Sequence, residues 1–173
     1  MDPLRIHEYL TISRQPIFDH VRALTEQQYL QTFPIGLGSV GRTLTHIMIC
    51  EWAYVQRLLG HELPPYEAWP IQDEKPPPFV DLERTWTPQA QQTREVIAAV
   101  RDWNEEIQYI VTWREPPARV TATAGDIVTQ LVLHEIHHRA QVLNMLRLLG
   151  SACGDIDYNA LMFRREDISD AAR

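Results

Sequence analysis

The segment between Thr123 and Gly150 predicts one long helix, and this helix constrains the fold more than any other part of the chain. Thr123 with Asp126 three residues later is a capping-box pattern, with Asp in place of Glu. Gly150 is typical of the position just after a helix C-terminus. The helix is too long and too apolar to stand alone, so it must pack against other helices.

Two histidines lie on the core-facing side of this helix. His134 and His138 are four residues apart, which brings their side chains one turn apart on one face. That face also carries the apolar residues Ile127, Leu131 and Met145. Two buried imidazoles are costly unless something satisfies them, and a shared metal ion would do so.

Two further helices are predicted in the first third of the chain. Residues 3–31 show helical periodicity, although Pro16 could kink or split the helix. A second helix is predicted over 40–59, with Ser39 as its N-cap and Gly60 just beyond its end.

A proline-rich crossover is predicted over 61–86, and it includes Pro76-Pro77-Pro78. Thr87-Pro88 fits an N-cap followed by a first-turn proline, which predicts a third helix over 88–112. A short extended stretch is predicted over 118–122, and a tail helix over 158–166. The predicted fold is therefore all-α, a four-helix bundle with a long crossover between helices 2 and 3, formed as a single domain over residues 1–173.

The composition narrows the function classes. With 16 Lys and Arg against 23 Asp and Glu, the net charge is −7, which argues against general nucleic-acid binding. The two cysteines, Cys50 and Cys153, make no disulfide framework. The N-terminus has no signal-peptide pattern, and no apolar stretch is long enough to cross a bilayer. We therefore expect a cytoplasmic protein without a membrane anchor.

His46 is the candidate third ligand. It lies in the second helix, on a face of small and polar residues that suits the wall of a cavity. Those residues are Ser39, Thr43, Cys50, Ala53 and Arg57. With His134 and His138 it would make a three-histidine site with one open position for water or substrate. Cys50, one turn after His46, is either a fourth ligand, a thiol of the site, or a small core residue.

One metalloprotease pattern, H-E-x-x-H, in which Glu is the general base, also fits the long helix. It matches His134-Glu135-Ile136-His137-His138. The extended form of that pattern needs Gly and His where this chain has Gln141 and Asn144. Helix geometry places Glu135 and His137 about 80° to either side of the chelating pair. Protease chemistry is therefore the less favoured interpretation.

Two stretches resemble the DinB-like (DNA-damage-inducible, YfiT-like) family of proposed metalloenzymes. The stretch from Ser39 through His46 to Leu58-Leu59-Gly60 resembles the second helix of that family. His134-Glu-Ile-His-His138-Arg139-Ala140-Gln141, followed by Leu146-Arg147-Leu148-Leu149-Gly150, resembles its C-terminal signature, with Ala140 in place of the commoner glycine. The order of helices and the length of the chain also agree.

The resemblance implies a four-helix bundle that forms a homodimer and binds a divalent metal through His46, His134 and His138. It also implies a metal-dependent transferase that uses a low-molecular-weight thiol such as bacillithiol, mycothiol or glutathione. The metal would act as a Lewis acid that favours the thiolate, which attacks a small-molecule substrate. Zinc, nickel, iron or manganese would suit three imidazoles.

Two other functions stay open at this stage. One is a metal-dependent hydrolase that uses a metal-bound water. The other is a non-catalytic metal-binding module of a stress response, which a closed shell that includes Cys50 would favour. Outer residues that could orient the ligands are Gln141, Glu51 and Gln130. Candidate aromatic residues for a dimer interface or the core are Trp52, Trp86, Trp103 and Trp113.

Overall fold

The computed structural model describes residues 2–112 and 115–166, and this part of the chain is mostly helical. Trp113 lies outside the described residues. Within them are six α-helices and one two-stranded antiparallel sheet. In chain order the elements are α1 (Pro3–Arg22), α2 (Glu26–Leu30), α3 (Val40–Leu58), α4 (Phe79–Ala99), β1 (Glu106–Val111), β2 (Ala118–Thr123), α5 (Ala124–Leu148) and α6 (Tyr158–Met162).

The four long helices share one hydrophobic core. α3 packs against α5 and α4, and α1 packs against the same two helices. Side chains from all four helices fill the space between them, among them Ile17, Leu44, Trp86 and Met145, which are at most 3% exposed. The predicted predominance of helix is confirmed, and the small sheet is an addition to it.

Local sequence signals set the ends of α3 and α5 as predicted. The Ser39 side chain accepts a hydrogen bond from the backbone N–H of Arg42, 3.1 Å away. Thr123 and Asp126 form a reciprocal capping box at the start of α5. Gly60 and Gly150 follow the two C-termini with φ of +74° and +77°, a region that favours glycine.

The prediction of a third helix over 88–112 is wrong at both ends. α4 begins at Phe79, nine residues earlier. The added turns place Leu82 and Trp86 in the core, where both side chains are fully buried. Pro88 therefore lies inside α4 rather than at its start. The crossover between α3 and α4 is correspondingly shorter than the predicted 61–86, and it contains a 3-10 turn at Tyr66–Ala68.

Near its end, that predicted helix is replaced by the strand β1, Glu106–Val111. Residues of β1 alternate in burial along its length and pair with β2, from Glu106 opposite Thr123 to Val111 opposite Ala118. The extended stretch predicted over 118–122 is confirmed as β2. Because β2 runs directly into α5, the hairpin lies against the start of that helix.

Two smaller boundaries also differ from the predictions. The first helix breaks at residues 23–25, where Thr25 caps the separate helix α2, and not at Pro16. The tail helix is α6, only five residues long. No helix among residues 2–112 and 115–166 is long and apolar enough to cross a membrane.

Candidate metal centre

Three histidines from two packed helices meet at one point. α3 supplies His46, and α5 supplies His134 and His138. The Nε2 atoms of His46 and His134 are 3.1 Å apart, and the three ring centroids are 4.5 to 5.0 Å from one another. One ligand atom from each ring lies within 4.8 Å of the other two. The structure therefore brings together the three side chains that were predicted as ligands.

The donor set suits a divalent transition metal. Zinc binds imidazole nitrogens at about 2.0–2.1 Å, so two nitrogens 3.1 Å apart can be ligands of one ion. Imidazole also suits nickel, iron and copper. Among the described residues, this is the one group of three or more His, Cys, Asp or Glu side chains that could hold an ion.

Two of the rings are held by hydrogen bonds that leave Nε2 available. His46 Nδ1 is 2.8 Å from Asp73 Oδ2, and His138 Nδ1 is 2.8 Å from Gln141 Oε1. An Nδ1–H that donates to an oxygen places the lone pair on Nε2, the atom that faces the cluster. Metal-binding histidines commonly have such a partner.

Gln141 was among the predicted outer residues, and the structure places it there. In the described part of the chain, the hydrogen bonds of Glu51 and Gln130 go elsewhere than to the three histidines. Glu51 belongs to a buried ion network, and Gln130 donates to the Tyr54 hydroxyl at 3.4 Å. Asp73 was not predicted, because it lies in the irregular crossover, 27 residues from His46. Tyr66 holds it, with its hydroxyl 2.6 Å from Asp73 Oδ1.

The turn that precedes α3 packs directly on Gln141. Gly36 has a φ of +49°, and an added Cβ there would lie 2.9 Å from Gln141 Nε2 and closer still to Oε1 and Cδ. The amide nitrogen of Gln141 lies 3.0 Å from Nε2 of the exposed His137. The lack of a side chain at Gly36 therefore leaves the space that the Gln141 amide needs in order to orient His138.

Burial favours the neutral form of two of the three imidazoles, those of His134 and His138. Desolvation by burial, with smaller contributions from the neighbouring histidines, lowers the pKa of His134 to about 3. Burial also lowers the pKa of His138, although its bond to Gln141 opposes this. Burial raises the pKa of Asp73, but hydrogen bonds from His46 and Tyr66 outweigh it and bring the pKa to about 2. Neutral imidazole is the form that binds metal, and a carboxylate is the stronger acceptor for His46.

Cys50 lies beside the cluster without belonging to it. Its Sγ is 3.6 Å from His46 Nε2, but Cys50 is not in the group of converging ligand atoms. Burial raises the pKa of the Cys50 thiol to about 12, so the thiol is protonated at neutral pH.

Glu135 points away from the histidines into a buried ion network. It is 3% exposed and accepts hydrogen bonds from Arg14, whose Nη2 also donates to Glu51 Oε2 at 2.6 Å. Trp86 Nε1 and Thr93 Oγ1 donate to the same Glu51 carboxylate, at 2.7 and 2.6 Å. Glu135 is therefore not placed to act as the base of an H-E-x-x-H protease.

A cavity of about 570 Å³ opens beside His46 and His134. Its other walls come from α3, the crossover and β1. A larger cavity of about 660 Å³ lies between α1 and α5, but it is lined mostly by apolar side chains and holds none of the three histidines. Of these two cavities, the smaller one is the one that reaches the histidine cluster.

Comparison with known proteins finds sequence relatives over nearly the whole chain. Protein DinB of Bacillus subtilis (strain 168) is 20% identical over 160 residues, which cover 92% of this chain and 92% of that protein. The sequence model of the DinB family matches residues 2–168, a span that contains α1, the three histidines and α6. With nearly its whole length matched, the chain belongs to the DinB family.

Proposed function

We propose that this chain binds one divalent metal ion through His46, His134 and His138 and acts as a metal-dependent enzyme of the low-molecular-weight-thiol S-transferase type. The observation that carries the metal site is the convergence of the imidazoles, with 3.1 Å between His46 Nε2 and His134 Nε2. Zinc, nickel, iron or manganese would be the ion.

The surroundings of the cluster favour an enzyme over a structural metal site. A catalytic site keeps one position open, whereas a structural site is closed by a fourth protein ligand. Here the cavity of about 570 Å³ reaches His46 and His134 directly, so a small molecule has room beside two of the ligands. A bound divalent ion supplies a Lewis acid that lowers the pKa of a coordinated thiol.

The chain itself would position the reaction. Asp73 and Gln141 hold His46 and His138 through their Nδ1 atoms, at 2.8 Å each. The aromatic side chains of Tyr66 and Trp69, which contact each other at 5.3 Å between ring centroids, cover the cavity from the crossover. Such a cover would shield a bound thiol and its electrophile from water, which would favour transfer over hydrolysis.

One observation favours a second candidate, a non-catalytic metal-binding module. Cys50 Sγ is 3.6 Å from His46 Nε2, close enough that a small rotation would make it a fourth ligand and close the shell. Its raised pKa opposes this, because metal binding must then displace a firmly held proton.

The wider organisation belongs to the same proposal. The four long helices would form a four-helix bundle, one domain over residues 1–173, in a cytoplasmic protein that binds no nucleic acid and no membrane. The net charge of −7 supports the lack of nucleic-acid binding. A homodimer is supported by apolar side chains exposed on α5, where Leu133 is 58% and Ile136 38% exposed.

Elemental analysis of tag-free protein tests the metal site first. Wild type should hold about one ion per chain, and single Ala variants of His46, His134 and His138 should each lose it. His61→Ala is the matched control, since His61 is exposed and bonds Gln56. Unchanged metal content in all three site variants would show that the ligands are misassigned.

A transfer screen then tests the reaction. Metal-loaded protein is mixed with bacillithiol, mycothiol or glutathione and an electrophile, and S-conjugates are measured by mass spectrometry. Conjugation that His134→Ala abolishes supports the transferase. If no thiol reacts and Cys50→Ala strongly weakens metal binding, the closed-shell module is the better description.

A further inference from the structure

The cavity beside the histidine cluster is elongated along α3. His46, Cys50 and Arg57 all line it, and they recur on one face at helical spacing, so the cavity follows the helix for about three turns. Residues of the crossover and Ile110 of β1 also line it. One end of the cavity is therefore the histidine cluster and the other end is Arg57.

Arg57 is held rigidly in an aromatic setting. It is only 7% exposed, and its guanidinium carbon is 4.1 Å from the ring centroid of Tyr109 and 5.6 Å from that of Tyr54. Cation–π contacts of this kind orient a guanidinium. The sequence predicted Arg57 on this face, and the structure places it in the wall of the cavity.

The two ends are close enough for one small molecule to touch both. The Tyr54 ring is 5.9 Å from the His134 ring, so Arg57 and His134 are no further apart than this distance plus the 5.6 Å from Tyr54 to the guanidinium. The lining also includes the exposed acidic side chain of Glu67.

We propose that the cavity binds an elongated small molecule whose carboxylate, or a similar anionic group, pairs with Arg57 while its reactive end lies at the histidine cluster. This deepens the proposed function and rests on it. A guanidinium donates two parallel hydrogen bonds to a carboxylate, and such charge-assisted bonds are stronger where water is partly excluded. Arg57 is then a specificity-determining residue that selects anionic substrates over neutral ones of the same length.

Binding of matched thiols to the full-length protein loaded with Co²⁺ tests this inference. The probes are ω-mercaptocarboxylates from mercaptopropionate to mercaptohexanoate, each compared with the mercaptoalcohol of the same length by titration calorimetry. The thiolate–cobalt absorption bands report contact with the metal separately. For at least one length, the carboxylate should bind about tenfold more tightly than the alcohol.

Variants assign that difference to Arg57. Arg57→Met should abolish it, Arg57→Lys should keep part of it, and Glu67→Gln should keep or enlarge it. Arg119→Met is the matched control, because Arg119 is exposed and lies outside this cavity, where it bonds Gln108 at 3.3 Å. Thermal melting checks that each variant folds, and the wild-type comparison requires no variant at all.

The outcomes separate the two proposals. If Co²⁺ and the thiols bind but carboxylates and alcohols have equal affinity at every length, the anion subsite is wrong while the metal centre stands. If Co²⁺ does not bind at the histidines, the proposed function fails. Propionate and propanol, titrated into metal-free protein, then test Arg57 alone, and equal affinities would overturn its role. If propionate binds the loaded protein as tightly as mercaptopropionate does, the thiol group adds no affinity. The anion subsite then belongs to the second substrate, which carries no thiol.

Discussion

Substitution of Gly36 by alanine should weaken metal binding although Gly36 touches no histidine. The left-handed backbone at Gly36 disfavours alanine by about 1–2 kcal/mol of folding free energy. In addition, the new Cβ would lie within 3 Å of all three terminal atoms of the Gln141 amide. The flexible side chain of Gln141 can rotate away, but it then loses its 2.8 Å contact with His138 Nδ1.

The expected effect on metal affinity is a loss of about 10- to 100-fold, the usual result of removing a group that orients a metal ligand. Gly150→Ala is the matched control. Gly150 has a φ of +77° at the end of α5, and an added Cβ there would meet nothing within 4 Å. The control should therefore lose similar stability and keep its metal affinity.

The assay is competition for Zn²⁺ against a chromophoric chelator, with urea unfolding of both metal-free variants alongside. Equal Zn²⁺ affinities for Gly36→Ala and Gly150→Ala would refute the reasoning, because they would show that Gln141 does not orient His138. A large loss of stability in Gly36→Ala alone would also count against it, since the clash would then involve more than one flexible side chain.

Three further predictions concern buried charge. Asp73→Asn should weaken Zn²⁺ binding about tenfold in calorimetric titration, because His46 loses a charged acceptor, and an unchanged affinity would contradict this. Arg14→Met should cost about 3–5 kcal/mol in urea unfolding, because Glu51 and Glu135 are left buried without their partner; a wild-type midpoint would disprove it. Burial lowers the pKa of His7 to about 4, so the unfolded state binds more protons between about pH 4 and 6.5. Stability should fall by up to about 3 kcal/mol as pH drops through that window, and His7→Leu should remove this share of the pH dependence in acid titrations followed by circular dichroism.

Local signals predicted the helix ends that depend on local chemistry. Ser39 and Thr123 cap their helices because each side chain bonds a backbone N–H three residues ahead. Gly60 and Gly150 follow the ends because of their positive φ. The pair of His134 and His138 could be recognised for the same reason, since four residues within one helix fix their relation.

The start of α4 was not predicted, because it depends on packing against distant parts of the chain. Thr87-Pro88 has the pattern of a helix start, but burial of Leu82 and Trp86 extends α4 upstream, and the Thr87 hydroxyl donates to the Glu83 carbonyl at 3.0 Å instead of capping. The strand at Glu106–Val111 could have been recognised by its period-two alternation, which the helical interpretation overlooked.

The unpredicted parts of the site come from different regions of the chain. Asp73 reaches His46 from an irregular segment without periodicity. Arg14 meets Glu135 across 121 residues, so no local pattern connects them. Sequence reasoning identified candidate ligands, and only the fold shows which groups orient them.

The crossover between α3 and α4 ties the identity of the substrate to a part of the chain that can vary. The helices supply the three imidazoles and must keep their spacing. The cover of the cavity comes from Tyr66, Trp69 and their neighbours, in a connecting segment in which the regular structure described is one short 3-10 turn, Tyr66–Ala68. Loops accept changes of length and composition more readily than packed helices do. Related chains could therefore acquire new substrates by exchanging this segment, provided that an acceptor equivalent to Asp73 still meets the first histidine.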